Sequence, residues 1–204
     1  MKTSTFITAS LMLAATSAIP AVADANSVSI VQKIAPKSNA CAGGEFPDEC
    51  ATSDQATSAL IQSFIEYNIV TPGEQSALIS LMAFETGDFK YVRNHYPAPG
   101  RPGQGCRNMM MPEFVAEYAK AKYPSITTTD PGALLNEVIK QGGEWGAASW
   151  FYTTKCSDAV KQGLKSGSKA GFSAFITECV GTTATDERLN NWSVAAKAVG
   201  LAGV

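Results

Sequence analysis

Apolar residues recur at helical spacing from about Ser53 onward. Ala56, Leu60, Ile61, Phe64 and Ile65 mark one face of a helix running to Tyr67. Thr71-Pro72-Gly73-Glu74 then joins a capping-box pair, Thr71 with Glu74, to a proline suited to the first helical position. Ala77, Leu78, Leu81 and Met82 carry the apolar face of the helix that follows, and Gly87 ends it. Pro112 opens PEFVAEYAKAKY, with Phe114, Val115 and Tyr118 on one side. Pro131-Gly132 opens ALLNEVIKQ, with Leu134, Leu135, Val138 and Ile139. Shorter helices are expected over 146–152, 159–164, 171–180 and 186–199. Nothing alternates at period two, and no repeat or low-complexity linker interrupts the chain. The pattern predicts a mainly α fold, with one helical domain over residues 53–204.

Three stretches depart from it. Residues 24–52 read as an irregular arm: a short apolar strand-like piece (Val28–Ile34), then Pro, Gly, Asn and Cys. Residues 88–112 read as a long loop, because Pro97, Pro99, Pro102, Gly100, Gly103 and Gly105 crowd into nine positions. Long loops inside compact domains are usually functional or disordered. Tyr91, His95, Tyr96 and Gln104 argue that this one is partly ordered. Residues 1–23 read as a secretory signal peptide: Lys2 supplies the early charge, Phe6–Ala15 the apolar core, and Ala21-Val22-Ala23 the cleavage pattern. That core falls short of the ~20 residues a membrane span needs. A secreted, extracellular protein is expected.

Composition sharpens the picture. Of 204 residues, removing the leader leaves 181, one ordinary domain. Without Lys2, 15 Lys+Arg face 18 Asp+Glu, a net charge of −3. With no basic run, that argues against nucleic acid as a partner. No later segment suggests a membrane, and a monomer is expected. All five cysteines follow the leader, and disulfides are the default for an exported chain. Cys41 with Cys50 would clip the arm, and Cys156 with Cys179 would bridge the segments flanking the Gly/Ser-rich bend 163–171; Cys106 is left over, free and buried unless the pairing differs. Asn191-Trp192-Ser193 is an N-glycosylation acceptor.

The chemistry centres on Glu85. At 3.6 residues per turn, positions 78, 81, 82 and 85 share a helix face, so Glu85 continues an apolar stripe at the helix's last turn. Desolvation and the negative end of the helix dipole both favour a protonated carboxyl there, as a general acid requires. The alternatives are a Glu85 turned to solvent, or one paired with Lys90 or Arg93.

The segment Ala77–Asp88 (ALISLMAFETGD), a Gly/Pro loop, and Arg107-Asn108-Met109-Met110-Met111-Pro112 together resemble the lysozyme-like superfamily, in particular goose-type lysozymes and soluble lytic transglycosylases. Glu85-Thr86-Gly87 stands where that family has a helix ending in Glu-Ser-Gly. Gly105 to Pro112 stands where it has a Gly-Leu-Met-Gln type turn before a proline and the next helix. The likeness covers about 40 residues of the sequence. It implies a lysozyme-like helical domain whose cleft binds a β-1,4-linked amino-sugar polymer of peptidoglycan or chitin type. Glu85 would protonate the glycosidic oxygen. Two departures stand out: Met110 falls where the family has Gln, and Cys106 lies in the turn. Asp88 is a candidate second carboxylate or, equally, a cap for the loop. A non-catalytic glycan-binding or effector protein of the same fold is the alternative.

Tyr91, Asn94, Tyr96, Gln104 and Asn108 are the candidate sugar-binding residues, since aromatic rings stack on pyranose faces and amides bond hydroxyl and acetamido groups; Tyr91 and Tyr96 would otherwise anchor the loop. His95 is the single histidine, so no metal site built on histidines and no cofactor is expected. No G-x-S-x-G elbow accompanies it, and a Cys106–His95 dyad has no further support. Trp145, Trp150 and Tyr152 are expected in the core, with Met109–Met111 filling gaps beneath the loop.

Overall fold

The computed structural model describes residues 25–42 and 44–203; the expected signal peptide lies outside them. The first described element is a helix, α1 (Ala25–Ile34), where a strand-like piece was expected. Val31 and Ile34 are its buried positions, three apart, and Ile30 packs beside them. That spacing suits a helix face laid on its neighbours, and it outweighs the local β-branched character. A single tight turn (Pro36–Asn39) follows, and the Cys41–Cys50 disulfide closes the rest of the arm.

Two capping boxes then start two helices. For α2 (Ser53–Glu66), Gln55 N donates to Thr52 Oγ1 at 3.4 Å while Thr52 N donates to Gln55 Oε1 at 2.9 Å. For α3 (Pro72–Glu85), Glu74 N donates to Thr71 Oγ1 at 3.2 Å and Thr71 N to Glu74 Oε2 at 3.1 Å. The other oxygen of Glu74, itself buried, accepts from Tyr152 Oη at 2.9 Å. The expected capping pair thus also ties the start of α3 into the core.

From Ser76 to Ala83 every residue of α3 is buried. The expected single apolar face is therefore too narrow a description: α3 is enclosed all round, as befits a helix apolar on most sides. It packs against α9 (Asp186–Ala198), α1, α6 (Gly146–Lys155) and α7 (Asp158–Lys165). Its first turn approaches α7 so closely that a Cβ on Gly73 would lie 2.2 Å from the Leu164 carbonyl oxygen.

A second core lies beyond α6. There α4 (Pro112–Lys122) and α5 (Pro131–Lys140) bring Val115, Tyr118, Leu135 and Val138 around Cys106 and Met110. Helix α6 divides the two cores. Trp145, Ala148 and Tyr152 face the first, while Ala147, Trp150 and Phe151 face the second. The aromatic residues of α6 are thus core residues, as expected. The chain closes through α7, α8 (Lys169–Ala174) and a π-helical turn (Phe175–Val180), which the Cys156–Cys179 disulfide ties back to the end of α6. Both expected disulfides are present, and Cys106 is free and buried. Among the described residues, pairing of β type is confined to two isolated bridges, Arg93–Gly105 and Gly105–Met110, and no helix is long and apolar enough to cross a membrane.

Candidate functional site

Glu85 stands where α3 leaves the core. Thr86 turns the chain: its Oγ1 donates to Met82 O at 2.6 Å and accepts from Phe89 N at 3.0 Å. Gly87, Asp88 and Phe89 then follow with φ of 57°, 62° and 66°. A left-handed residue other than glycine costs about 1–2 kcal/mol. The turn offsets that by sending Phe89, fully buried, edge-on against Trp145 at 5.4 Å. Asp88 Oδ2 accepts from Lys37 N at 2.9 Å, so this carboxylate caps the turn of the arm.

The partner of Glu85 is neither Lys90 nor Arg93. Its Oε1 accepts from Arg188 Nη1, in an ion pair between side chains that are 20% and 15% exposed, and the same guanidinium lies 4.3 Å over the Phe84 ring. Lys90 Nζ instead donates to Ala40 O. Arg93 reaches Glu49 and Asn136: its Nη1 donates to Glu49 Oε1 at 2.9 Å and its Nε to Asn136 Oδ1 at 3.0 Å.

The 88–112 loop is ordered by two buried charges. Glu49, in the arm, accepts from Val92 N at 2.8 Å and Arg93 N at 3.1 Å through Oε2, and pairs with His95 Nε2 at 3.0 Å through Oε1. Burial alone would raise the Glu49 carboxyl; the bonds from Val92, His95 and Arg93 outweigh it and hold the group below its ordinary range. Arg107 is enclosed in the second half of the loop. Its Nη1 donates to Phe89 O and Tyr91 O, both at 3.0 Å, and its guanidinium stacks 4.6 Å from the Trp145 ring centre. Burial pulls this guanidinium down to about 10. Gly105 and Met110 exchange backbone bonds of 3.0 and 2.8 Å, closing the turn that carries Cys106 to Met109. The two elements of the family likeness, Glu85-Thr86-Gly87 and Gly105–Pro112, are therefore joined through Arg107 and the chain just after Gly87.

The candidate sugar-binding residues do not share one cleft. Tyr91 lines a hollow of about 310 Å³ against the arm, with Glu45, Phe46 and Lys90. Tyr96 lies nearby, edge-on to Tyr91 at 6.1 Å, with its hydroxyl donating to Glu45. Asn94 and Gln104 line a separate hollow of about 270 Å³ with Arg101 and Asn136. Asn94 Oδ1 accepts there from Arg101 N at 2.9 Å. Asn108, buried, lines a narrow cavity of about 70 Å³ with Leu81, Met109, Met111 and Phe114. Leu81 of that cavity sits one turn before Glu85, and Tyr91 packs against Gly87, two residues after it.

The remaining features are structural. His95 stacks on Phe46 at 3.6 Å, with its Nε2 committed to Glu49. Burial, with Glu144 nearby, pushes the Cys106 thiol up to about 12, which disfavours the thiolate a dyad would need. Met110 is a core residue while Met109 and Met111 are half-buried. Asn191 lies within α9, and its Nδ2 donates to Ser80 O at 3.3 Å, a bond that a glycan there would have to replace. Among the described residues no group of three or more His, Cys, Asp or Glu is gathered as a metal site would need. Arg188 and Glu49 are not singled out by sequence, and Arg107 enters there only as part of the quoted 107–112 segment, with no role. Arg188 stands 103 residues from its partner, and nothing local marks the pair.

No family model matches this chain, and no solved structure matches it. A bifunctional dioxygenase–epoxy alcohol synthase of Fusarium oxysporum (strain Fo5176) is 37% identical over 173 residues, 79% of this chain. The chain spans 13% of the length of that curated relative.

Proposed function

We propose that this chain is a secreted, lysozyme-like protein that cleaves a β-1,4-linked amino-sugar polymer, of peptidoglycan or chitin type, with Glu85 as general acid. One observation carries the reading. Glu85 ends an enclosed helix at a turn tied, through Arg107, to the second element of the family likeness. A carboxyl so placed has its backbone fixed by the core, which is what positioning for proton transfer demands. The two disulfides suit an oxidising, extracellular setting. The oxygenase and synthase activities named for the Fusarium relative belong to a far longer protein and form no part of this proposal.

The test is Glu85→Gln, assayed on peptidoglycan and on chitin oligomers by analysis of released products. Loss of at least 100-fold in turnover is expected, as for removal of a general acid (roughly 10²–10⁴). Equal turnover by wild type and variant, or none by wild type on either polymer, ends the catalytic reading.

A second reading is favoured by the Glu85–Arg188 ion pair and by Met110: a non-catalytic module that binds glycans. It predicts retention on insoluble chitin or peptidoglycan without cleavage products.

A further inference from the structure

The Cys41–Cys50 disulfide takes no part in the reading above. Both cysteines are half-buried, so the bond lies within reach of solutes. Cys50 lines the hollow of about 310 Å³ between the arm and the 88–112 loop, together with Lys90 and Glu45. The other disulfide is set deeper: Cys156 is 5% exposed, packed in the first core.

Charge separates the two bonds further. Lys90 Nζ donates to Ala40 O, one residue before Cys41, and lies 3.6 Å from Cys50 Sγ. The hollow's carboxylate, Glu45, is engaged by the Tyr96 hydroxyl instead. Beside the other disulfide, Lys155 is committed to Glu117. A disulfide exchanges when a thiolate attacks one sulfur and the other departs as a thiolate, and the less basic sulfur departs faster. A cation beside a sulfur lowers that basicity. Lys90 therefore marks Cys50 as the leaving group and Cys41 as the sulfur attacked.

We propose that the Cys41–Cys50 bond is an exchange site for a low-molecular-weight thiol, attacked at Cys41 with Cys50 departing as a thiolate beside Lys90. The incoming thiol gives its proton to solvent and its sulfur bonds to Cys41 Sγ. The electron pair of the broken bond passes to Cys50 Sγ, leaving a mixed disulfide at Cys41 and a free Cys50. A second thiol then attacks the outer sulfur of the mixed disulfide, frees Cys41 and departs as the oxidised dimer. The two electrons that reduce the pair thus come from two thiols. Glu49, next to Cys50, keeps its own bonds to Val92, Arg93 and His95. Exchange therefore unclips residues 41–48 and leaves the helices in place.

The experiment treats the full chain with reduced glutathione and quenches in acid at early times. Free cysteines are then labelled with N-ethylmaleimide, and both marks are mapped by peptide mass spectrometry. Glutathione should appear on Cys41 and the maleimide on Cys50, with this bond opening roughly tenfold or more faster than Cys156–Cys179. Lys90→Met should slow that opening about fivefold without slowing the other, and Lys90→Arg should restore most of the rate. The same effect of Lys90→Met is expected with uncharged 2-mercaptoethanol. Its loss with that thiol would mean that Lys90 only gathers glutathione's carboxylates, and overturns the proposal. Glutathione on Cys50, equal opening of the two bonds, or a Lys90→Met rate no slower than wild type overturns it too. A variant with a loosened fold would speed both bonds, and the position of glutathione in the unaltered chain then decides.

Discussion

Glu49 gathers its donors into one small volume: Val92 N, Arg93 N, Arg93 Nη1 and His95 Nε2 all lie within 3.1 Å of its oxygens. Its carboxyl is held below the ordinary value of 4.5. A group depressed on folding stabilises the fold at pH above its unfolded value, and that contribution fades as pH falls through the folded value. The N-terminal arm should therefore loosen from the 88–112 loop in acid, below about pH 4.5. Glu49→Gln should cost about 1–3 kcal/mol at neutral pH, by leaving buried donors unmatched. It should also flatten the acid limb of stability. Thermal unfolding of both proteins across pH 2.5–7 measures it, and parallel acid limbs would contradict this account.

At the scale of elements, α3 organises the molecule. It is capped by Thr71 and Glu74, enclosed from Ser76 to Ala83, and pressed against α7 at Gly73. A Cβ at Gly73 would sit 2.2 Å from Leu164 O, a backbone atom that yields only if the helices part. Gly73→Ala should destabilise by roughly 1–3 kcal/mol, the usual cost of overpacking, read as a lowered denaturant midpoint. Much of α3 was legible in sequence because capping and periodicity are local. Its enclosure was less so, since the run ALISLMAF does not say how many neighbours will cover it. The strand-like reading of residues 28–34 failed for a related reason: a short apolar run fits either period until its neighbours choose one. The disulfides were legible from the expectation of export and from the bend between Cys156 and Cys179. The Glu85–Arg188 pair was not, because only the α3–α9 packing brings together residues 103 apart.

For the whole molecule, the organising fact is a pair of cores divided by α6, one around α3 and one around Cys106 and Tyr118. The Cys156–Cys179 bond ties the end of α6 to the π-helical turn across a sequence separation of 23. Opening a loop of that size costs about 3 kcal/mol on the chain-entropy account. The double variant Cys156→Ala with Cys179→Ala should lose about that much, measured by urea unfolding, with the helical spectrum retained in water. Collapse of the helical signal without denaturant would show that the bond holds more than a loop.

The leftover thiol then acquires a use. Cys106 is fully enclosed in the second core, with the thiol raised to about 12. A thiol without access to reagent reacts only during openings that expose it. Its alkylation rate is thus a clock for the second core alone, ticking at the frequency with which α4 and α5 part from α6. Iodoacetamide labelling of Cys106 should be slower by orders of magnitude in the folded chain than in urea. Gly73→Ala, a change on the far side of α6, divides the outcomes. If the rate rises with the full loss of stability, the two cores open as one; if it barely moves, the second core breathes by itself.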